Sequence, residues 1–271
     1  MIYFIPTPIG NLDDISHRSL KLLCECHTLF CEDTRVTKKL LSLLSKKFNL
    51  TFSIENFISL HSHNEKHVLD NISISTFDKT VAYLSDAGMP GISDPGSYFV
   101  QFAQKNRLSY EVLPGANAAL LAYVSSGFSN PKFTFFGFLP HKGSKRDEGL
   151  ESIRDSCIPI VLYESPHRIE KLSNELSSLM PNRKVIFIKE ATKKFQKQFI
   201  STCMNINEQL KGINLKGEWV VVIDGKSAHK GSSITKEDII KLKLPPKQKA
   251  KLLAKITGDS TKEWYSKLLY K

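Results

Sequence analysis

Two acidic residues and an arginine follow a short apolar run, in the sequence EDTR at residues 32–35. The apolar run predicts a buried strand, so Glu32, Asp33 and Arg35 lie at its carboxyl end. A carboxylate at this position can accept a proton, and an arginine can bind a phosphate through two parallel hydrogen bonds. An intradomain Glu–Arg ion pair explains the same residues equally well.

A second strand ends in a loop rich in glycine, proline and aspartate, SDAGMPGISDPG at residues 85–96. Gly88 and Gly91 let a ligand or another backbone approach closely, and the prolines stiffen the loop. Asp86 or Asp94 can accept a hydrogen bond from a hydroxyl or an ammonium group. The loop is therefore a candidate ligand cradle, although an ordinary turn uses the same residue types.

Three further strand ends carry glycine or proline beside polar residues: PTPIGN at 6–11, LPGANAA at 113–119 and LYESPHR at 162–168. In an α/β sheet, ligands bind outside the carboxyl ends of the strands. Four such loops together predict a cleft built mainly from backbone groups. We expect it to suit a small, polar and partly cationic ligand.

Apolar runs alternate with helical patterns along the first half of the chain. The pattern predicts strands at residues 1–6, 27–31, 57–60, 80–84 and 109–113. It predicts helices at residues 16–26, 34–44, 67–74, 97–105 and 114–127. Such alternation indicates a largely parallel sheet with helices on both faces.

The second half has strand candidates at residues 133–138, 158–163, 184–189, 198–202 and 219–223, and helix candidates at 145–154 and 166–179. The late strands follow one another closely, so a mixed sheet is expected here. A polar linker at 224–233 precedes short helices at 236–242, 247–256 and 262–270. We predict an α/β protein with domains at residues 1–114 and 115–225 and a basic helical appendage at 226–271.

Composition and charge limit the possible function. The chain has 271 residues, 41% of them hydrophobic, and a net charge of +11. Residues 228–271 hold eleven lysines against four acidic residues, which is +7 of that charge. This suits a polyanion such as nucleic acid, or equally a solvated lysine-rich surface.

No apolar stretch is long enough to span a bilayer, and the first residues lack the pattern of a signal peptide. We therefore expect a cytoplasmic protein without membrane association, whose five cysteines are reduced thiols and not metal ligands. The chain also lacks the P-loop, the dinucleotide-binding glycine motif and the hydrolase nucleophile elbow.

These stretches, together with EDTR, HSHNE at 61–65, GFLPHKGSKR at 137–146 and KGEWVVVI at 216–223, resemble those of one known family. The chain resembles the ribosomal RNA small subunit methyltransferase I family, within the tetrapyrrole-methylase-like (class III) fold. The resemblance runs in order from Tyr3 to Ile223 and continues more weakly through the tail. It implies methyl transfer from S-adenosylmethionine to the ribose 2′-oxygen of a cytidine in the decoding centre of 16S rRNA, by a homodimer.

For this reaction we expect Glu32 or Asp33 to orient or deprotonate the 2′-hydroxyl and Arg35 to bind a phosphate. The resemblance implies that the cofactor lies in the cleft between the two domains. The residues expected to bind it are Pro8, Gly10, Asp86, Ala87, Gly88, Gly91, Ile92, Asp94, Pro114, Gly115, Ala116, Asn117, Ala118, Tyr163 and Glu164.

RNA contacts are expected at two basic segments. The first is the loop with His141, Lys142, Lys145 and Arg146, and the second is the tail with Lys247 and Lys249. The sequence KKFQK at 193–197 mixes charge with an aromatic ring, so it could stack on a splayed base or form a surface strand. The substrate is expected to be 16S rRNA in the assembled small subunit. The alternatives are a methyltransferase acting on a small tetrapyrrole-type molecule and a non-catalytic RNA-binding assembly factor.

Overall fold

The structure is a computed structural model that describes residues 1–226 and 236–269. The chain divides into two compact units, Met1–Lys226 and Ser227–Lys271. Most of the predicted linker at 224–233 lies outside the described residues. The first unit contains two five-stranded sheets.

The first sheet is parallel throughout, as the alternating pattern predicts. Its strands run in the order β3-β2-β4-β1-β5. Every residue of β2 and β4 is buried, because parallel strands in the middle of such a sheet are covered on both faces. The strands are β1 (Ile2–Ile5), β2 (Thr28–Cys31), β3 (Asn56–Ser59), β4 (Val81–Leu84) and β5 (Tyr110–Val112).

Helices connect these strands, and polar side chains cap several of them. The Ser16 hydroxyl accepts a hydrogen bond from Ser19 N at 3.0 Å, and Asp33 Oδ1 accepts one from Arg35 N at 2.8 Å. Two short 3₁₀ turns, Leu12–Asp14 and Ile74–Asp78, were not predicted. The α-helices are α1 (His17–Cys24), α2 (Thr34–Phe48), α3 (Glu65–Asn71) and α4 (Ser97–Lys105).

The second sheet is mixed, as expected from its closely spaced late strands. Its order is β6-β7-β10-β8-β9, with β6 parallel to β7 and the other pairs antiparallel. The strands are β6 (Thr134–Phe138), β7 (Ile160–Glu164), β8 (Lys184–Lys189), β9 (Lys197–Thr202) and β10 (Trp219–Ile223). The helices are α5 (Ala118–Ser126), α6 (Ser144–Asp155), α7 (Ile169–Leu179) and α8 (Ile206–Leu210), of which α8 was not predicted.

The second unit contains three helices over residues 236–269: α9 (Lys236–Lys241), α10 (Pro246–Thr257) and α11 (Thr261–Leu269). Helix α10 packs against both of the others. Trp264 donates its indole N–H to Thr257 Oγ1 at 2.8 Å, and the ammonium groups of Lys236 and Lys267 lie 5.8 and 5.0 Å from its ring centroid.

All five cysteines are unpaired. Within residues 1–226 and 236–269, no group of three His, Cys, Asp or Glu side chains could hold a metal ion. None of the helices described has the length and apolar character needed to cross a membrane.

Candidate active site

A cavity of about 360 Å³ opens where loops of both sheets meet, which is within the usual size of a small-molecule site. Its wall comes from the loops that follow β1, β4, β7 and β8, from the last residues of β6 and β7, from the N-terminal end of α5, and from the start of β10. The lining residues are Ile9, Ala87, Gly88, Met89, Ile92, Ser93, Asp94, Asn117, Ala118, Phe138, Tyr163, Glu164, Ser165, Pro166, Ala191, Glu218, Trp219 and Val220.

The glycine-rich loop after β4 forms one side of this cavity. Gly88 has a φ of +81°, which favours glycine, and its backbone exchanges two hydrogen bonds with Thr7, at 2.9 and 3.1 Å. A Cβ on Gly88 would lie 3.1 Å from Ile9 Cγ2 and 3.5 Å from the Ala116 carbonyl. The missing side chain therefore brings two strand-end loops together and leaves the cavity open between them.

Glu65 holds the far end of this loop. Its carboxylate is nearly buried and accepts hydrogen bonds from the backbone N–H of Gly96 at 3.0 Å and of Phe99 at 3.1 Å. The Tyr83 hydroxyl donates to the Pro95 carbonyl at 2.9 Å. These contacts fix the Pro95–Gly96 end of the loop beside the first turn of α4.

Asn117 begins the opposite side of the cavity. Its side-chain oxygen accepts a hydrogen bond from Leu120 N at 3.0 Å and so caps α5. The helix starts at Ala118 and not at residue 114, and residues 113–117 before it lie outside any helix or strand. A Cβ on Gly115 would lie 2.5 Å from Pro6 Cβ, so glycine permits close backbone packing here.

Asp94, in the cavity wall, interacts electrostatically with two further carboxylates, those of Glu32 and Asp86. Burial, followed by repulsion from Asp94 and Asp86, raises the pKa of Glu32 above the ordinary 4.5. Burial and repulsion from Asp86 raise the pKa of Asp94, and burial raises that of Asp86. A cationic ligand group beside them would relieve this repulsion, so the cluster favours a cation.

Asp33 and Arg35 form a bidentate ion pair with each other. Arg35 Nε lies 3.1 Å from Asp33 Oδ1, and Nη2 lies 2.6 Å from Oδ2. These hydrogen bonds lower the pKa of Asp33 to about 2, which makes it a weak base. The sequence analysis considered a Glu–Arg ion pair, but the partner of Arg35 in the structure is Asp33 and not Glu32.

A buried charge network lies behind the wall formed by β7. Glu164 Oε1 lies 2.7 Å from Arg168 Nη2, and Glu164 Oε2 lies 3.8 Å from Arg146 Nη2. Arg146 also donates to Glu175 Oε2 at 2.6 Å and to the Pro140 carbonyl at 2.8 Å. The prediction that Arg146 contacts RNA is wrong, because this side chain is 1% exposed and all its partners are internal.

The comparisons with known proteins agree with this fold. The pattern of the family described as Tetrapyrrole (Corrin/Porphyrin) Methylases matches residues 1–206. A relative named Ribosomal RNA small subunit methyltransferase I, from Campylobacter fetus subsp. fetus (strain 82-40), is 51% identical over 99% of this chain and 100% of its own length. The chain belongs to the ribosomal RNA small subunit methyltransferase I family.

A second member of this family, from Helicobacter pylori (strain J99 / ATCC 700824), is 42% identical over 98% of this chain and 96% of its own length. Among solved structures, uroporphyrin-III C-methyl transferase from Thermus thermophilus, complexed with S-adenyl homocysteine, has a TM-score of 0.57 at 15% identity. The match covers 82% of this chain and 96% of that one. At this identity the likeness shows the shared fold.

The structure brings eight of the fifteen predicted cofactor residues of this family member to the cavity wall: Ala87, Gly88, Ile92, Asp94, Asn117, Ala118, Tyr163 and Glu164. The remaining seven do not line it: Pro8, Gly10, Asp86, Gly91, Pro114, Gly115 and Ala116. The placement of Gly10 in the cleft is therefore corrected. A Cβ on Gly10 would lie 2.5 Å from Lys193 Cγ, so this glycine packs against the loop after β8.

The sequence analysis missed most of the wall contributed by the second sheet, notably Phe138, Ala191, Glu218 and Trp219. Strand β10 runs antiparallel to β7, with Trp219 opposite Glu164. The start of β10, and not its end, therefore meets the cavity. The motif KGEWVVVI at 216–223 contains Glu218 and Trp219. We searched for ligand contacts at the carboxyl ends of strands, whereas these two residues lie at the amino-terminal end of β10.

The other predicted RNA contacts are accessible to different degrees. His141, Lys142 and Lys145 are exposed between β6 and the first turn of α6. In the second unit, Lys247 is exposed on α10, whereas Lys249 is half-buried and donates to the Ile240 carbonyl at 2.6 Å.

Proposed function

We propose that this chain transfers a methyl group from S-adenosylmethionine to the ribose 2′-hydroxyl of a cytidine in the decoding centre of 16S rRNA. The observation that carries the proposal is the cavity beside the Gly88 loop, with Asp94 in its wall interacting with Glu32 and Asp86. It occurs in a chain 51% identical, over almost all its length, to a relative named for ribosomal RNA methylation. The cytidine and the 2′-oxygen come from the resemblance of the motifs and their order along the chain.

The cavity fits the proposed cofactor in size and chemistry. Asp94 and Glu218 place carboxylates in its wall, where they can accept hydrogen bonds from hydroxyl or ammonium groups. We assign cofactor contacts to the eight predicted residues in the wall and to Glu218. The cofactor supplies a methyl group on a positively charged sulfur, an electrophile that is already activated, so the protein acts chiefly by positioning.

Glu32 is the better candidate of the two acids for accepting the proton of the ribose hydroxyl. Its pKa is raised and it forms no ion pair with the described residues, whereas the pKa of Asp33 is lowered to about 2 by Arg35. A base works best when its pKa approaches the working pH. Arg35, whose side chain is 90% exposed despite its partner, remains available to a phosphate of the substrate.

We further propose that the RNA is held by His141, Lys142 and Lys145 in the first unit and by Lys247 and Lys249 in the second. The exposed lysines of this set, Lys142, Lys145 and Lys247, supply salt-dependent affinity for phosphates. The proposed substrate is 16S rRNA within the assembled small subunit, in the cytoplasm.

The chain is also proposed to act as a homodimer. Helix α5 buries Ala119 and Ala122 against the second sheet, whereas Leu120 is 51% and Val124 78% exposed on its outer side. These two residues lie one turn apart and form an apolar strip. A second copy of the chain that covered this strip would remove it from water.

Tritiated S-adenosylmethionine tests the proposal, with small subunits and free 16S rRNA from cells that lack this enzyme as substrates. We expect label at one decoding-centre cytidine, with the adjacent phosphodiester bond resistant to base-catalysed cleavage. Label on a base and not on a ribose would contradict the 2′-oxygen assignment. Cofactor binding by calorimetry without label in either RNA would favour a small-molecule substrate.

A further inference from the structure

The loop between β8 and β9, residues 190–196, extends from the cavity to the protein surface. Ala191 lines the cavity, and the following Thr192 accepts a hydrogen bond from Asn11 N through its hydroxyl at 3.2 Å. The sequence left open whether this segment is a surface strand. It is a turn, and β9 starts only at Lys197.

The turn has a fixed shape. Glu190 and Thr192 both adopt left-handed backbone conformations, with φ of 52° and 63°, which are costly for residues with side chains. Lys193 Nζ holds the turn by pairing with Glu190 at 3.0 Å and with Glu218 at 2.9 Å. Gln196 N also donates to the Lys193 carbonyl at 3.0 Å. Strain of this kind persists where the surrounding contacts enforce it, and it concentrates at functional sites.

Phe195 is at the tip of this turn, with 73% of its surface exposed. The ammonium group of the exposed Lys194 lies 5.6 Å from its ring centroid, and Lys194 pairs with no acidic side chain in the described part of the chain. A nucleotide has a flat base and a negatively charged phosphate. The aromatic ring of Phe195 can stack on the base, and the ammonium group of Lys194 can bind the phosphate. A protein partner would instead call for a wider apolar surface around the ring.

We propose that Phe195 and Lys194 form a platform on which an unpaired base of the RNA substrate stacks, with Lys194 against a neighbouring phosphate. The proposal rests on the proposed function, because it requires RNA at this site. Phe195 follows Ala191 by four positions in the chain, a reach of at most about 14 Å. The stacked base therefore lies within a few nucleotides of the reacting ribose, and the platform holds that part of the strand open.

The test compares Phe195→Ala with Phe195→Trp, and with Ile200→Ala as a matched control. Ile200 lies on β9 of the same hairpin and is 63% exposed, so its loss removes a similar apolar surface without an aromatic face. Affinities are measured by fluorescence anisotropy with a labelled single-stranded RNA that spans the decoding-centre cytidine. Cofactor affinity is measured by calorimetry, and thermal melting checks folding.

Stacking of one base is worth about 1–3 kcal/mol by alanine substitution, so Phe195→Ala should weaken RNA binding about 5- to 150-fold. Phe195→Trp should stay within about threefold of wild type, and Ile200→Ala within about twofold, with cofactor affinity unchanged in all three. Lys194→Gln should lower the salt slope of RNA binding by about 0.7. Equal RNA affinities for wild type and Phe195→Ala overturn the platform. If the wild type does not methylate rRNA, the proposed function is overturned. The stacking platform is still tested in that case, by the RNA affinities of wild type and Phe195→Ala.

Discussion

The Arg146→Ala variant separates a structural role from an RNA-binding role. Arg146 is 1% exposed and pairs with Glu175 at 2.6 Å, with Glu164 close by at 3.8 Å. Removing one partner of a buried ion pair costs about 3–5 kcal/mol. Arg168 still neutralises Glu164, and Glu175 is 21% exposed and can be partly hydrated, so we expect the lower end, about 3 kcal/mol.

For a unit of this size, each kcal/mol lowers Tm by about 2–4 °C, so the expected fall is roughly 6–12 °C. Thermal unfolding followed by circular dichroism measures it, with RNA affinity determined well below the transition. Lys145→Ala is the matched control, since Lys145 is adjacent but exposed. It should keep its Tm within about 2 °C and bind RNA more weakly. The reasoning is refuted if Arg146→Ala keeps the wild-type Tm and loses as much RNA affinity as Lys145→Ala.

Three further variants probe the site and the assembly. Glu32→Gln should lower the rate of methyl transfer about 10²- to 10⁴-fold at pH 7, because the amide cannot accept a proton. The kcat/KM of the wild type should rise with pH through a pKa above 4.5, because only the ionised carboxylate accepts a proton. The folded chain binds that proton more tightly than the unfolded chain, so the ionisation of Glu32 costs stability as pH rises, and Glu32→Gln should melt at a higher temperature than wild type at pH 7. Glu65→Leu leaves two backbone N–H groups unpaired, which costs about 1–3 kcal/mol of stability for each group. Calorimetry should show weaker cofactor binding by this variant. An unchanged cofactor affinity would mean that Glu65 does not support the loop's role in binding. Val124→Glu should shift the chain from dimer to monomer in light scattering, and a dimer that persists would place the interface elsewhere.

The architecture could be predicted because each sheet leaves a direct trace in the sequence. Continuous apolar runs such as β2 and β4 are typical of buried parallel strands, and the helices between them keep a helical period. Helix α4 has the predicted bounds, residues 97–105. Short elements such as α8 were not predicted, because five residues are too few to show a helical repeat of apolar positions.

The candidate site could be predicted only where it depends on local chain chemistry. The position of Gly88 in the cavity wall could be predicted, because a strand followed by glycine and proline indicates a loop that a ligand can approach closely. Arg146 was misassigned because it belongs to a basic run, and only the tertiary packing of α6 against α7 turns it towards Glu175. Glu218 was missed because its position depends on an antiparallel pairing that the chain order does not reveal.

The three carboxylates beside the cavity also couple ligand binding to protons. Burial is the largest cause of the raised pKa of each, and repulsion from neighbouring carboxylates adds to it, so at acidic pH the ligand-free site retains protons that free carboxylates would have lost. A positively charged ligand stabilises the ionised forms and displaces these protons into solution. Binding of a sulfonium cofactor should therefore tighten as pH rises, and its calorimetric heat should change with the ionisation enthalpy of the buffer. A product that has lost the sulfonium charge should release fewer protons and bind with a shallower dependence on pH.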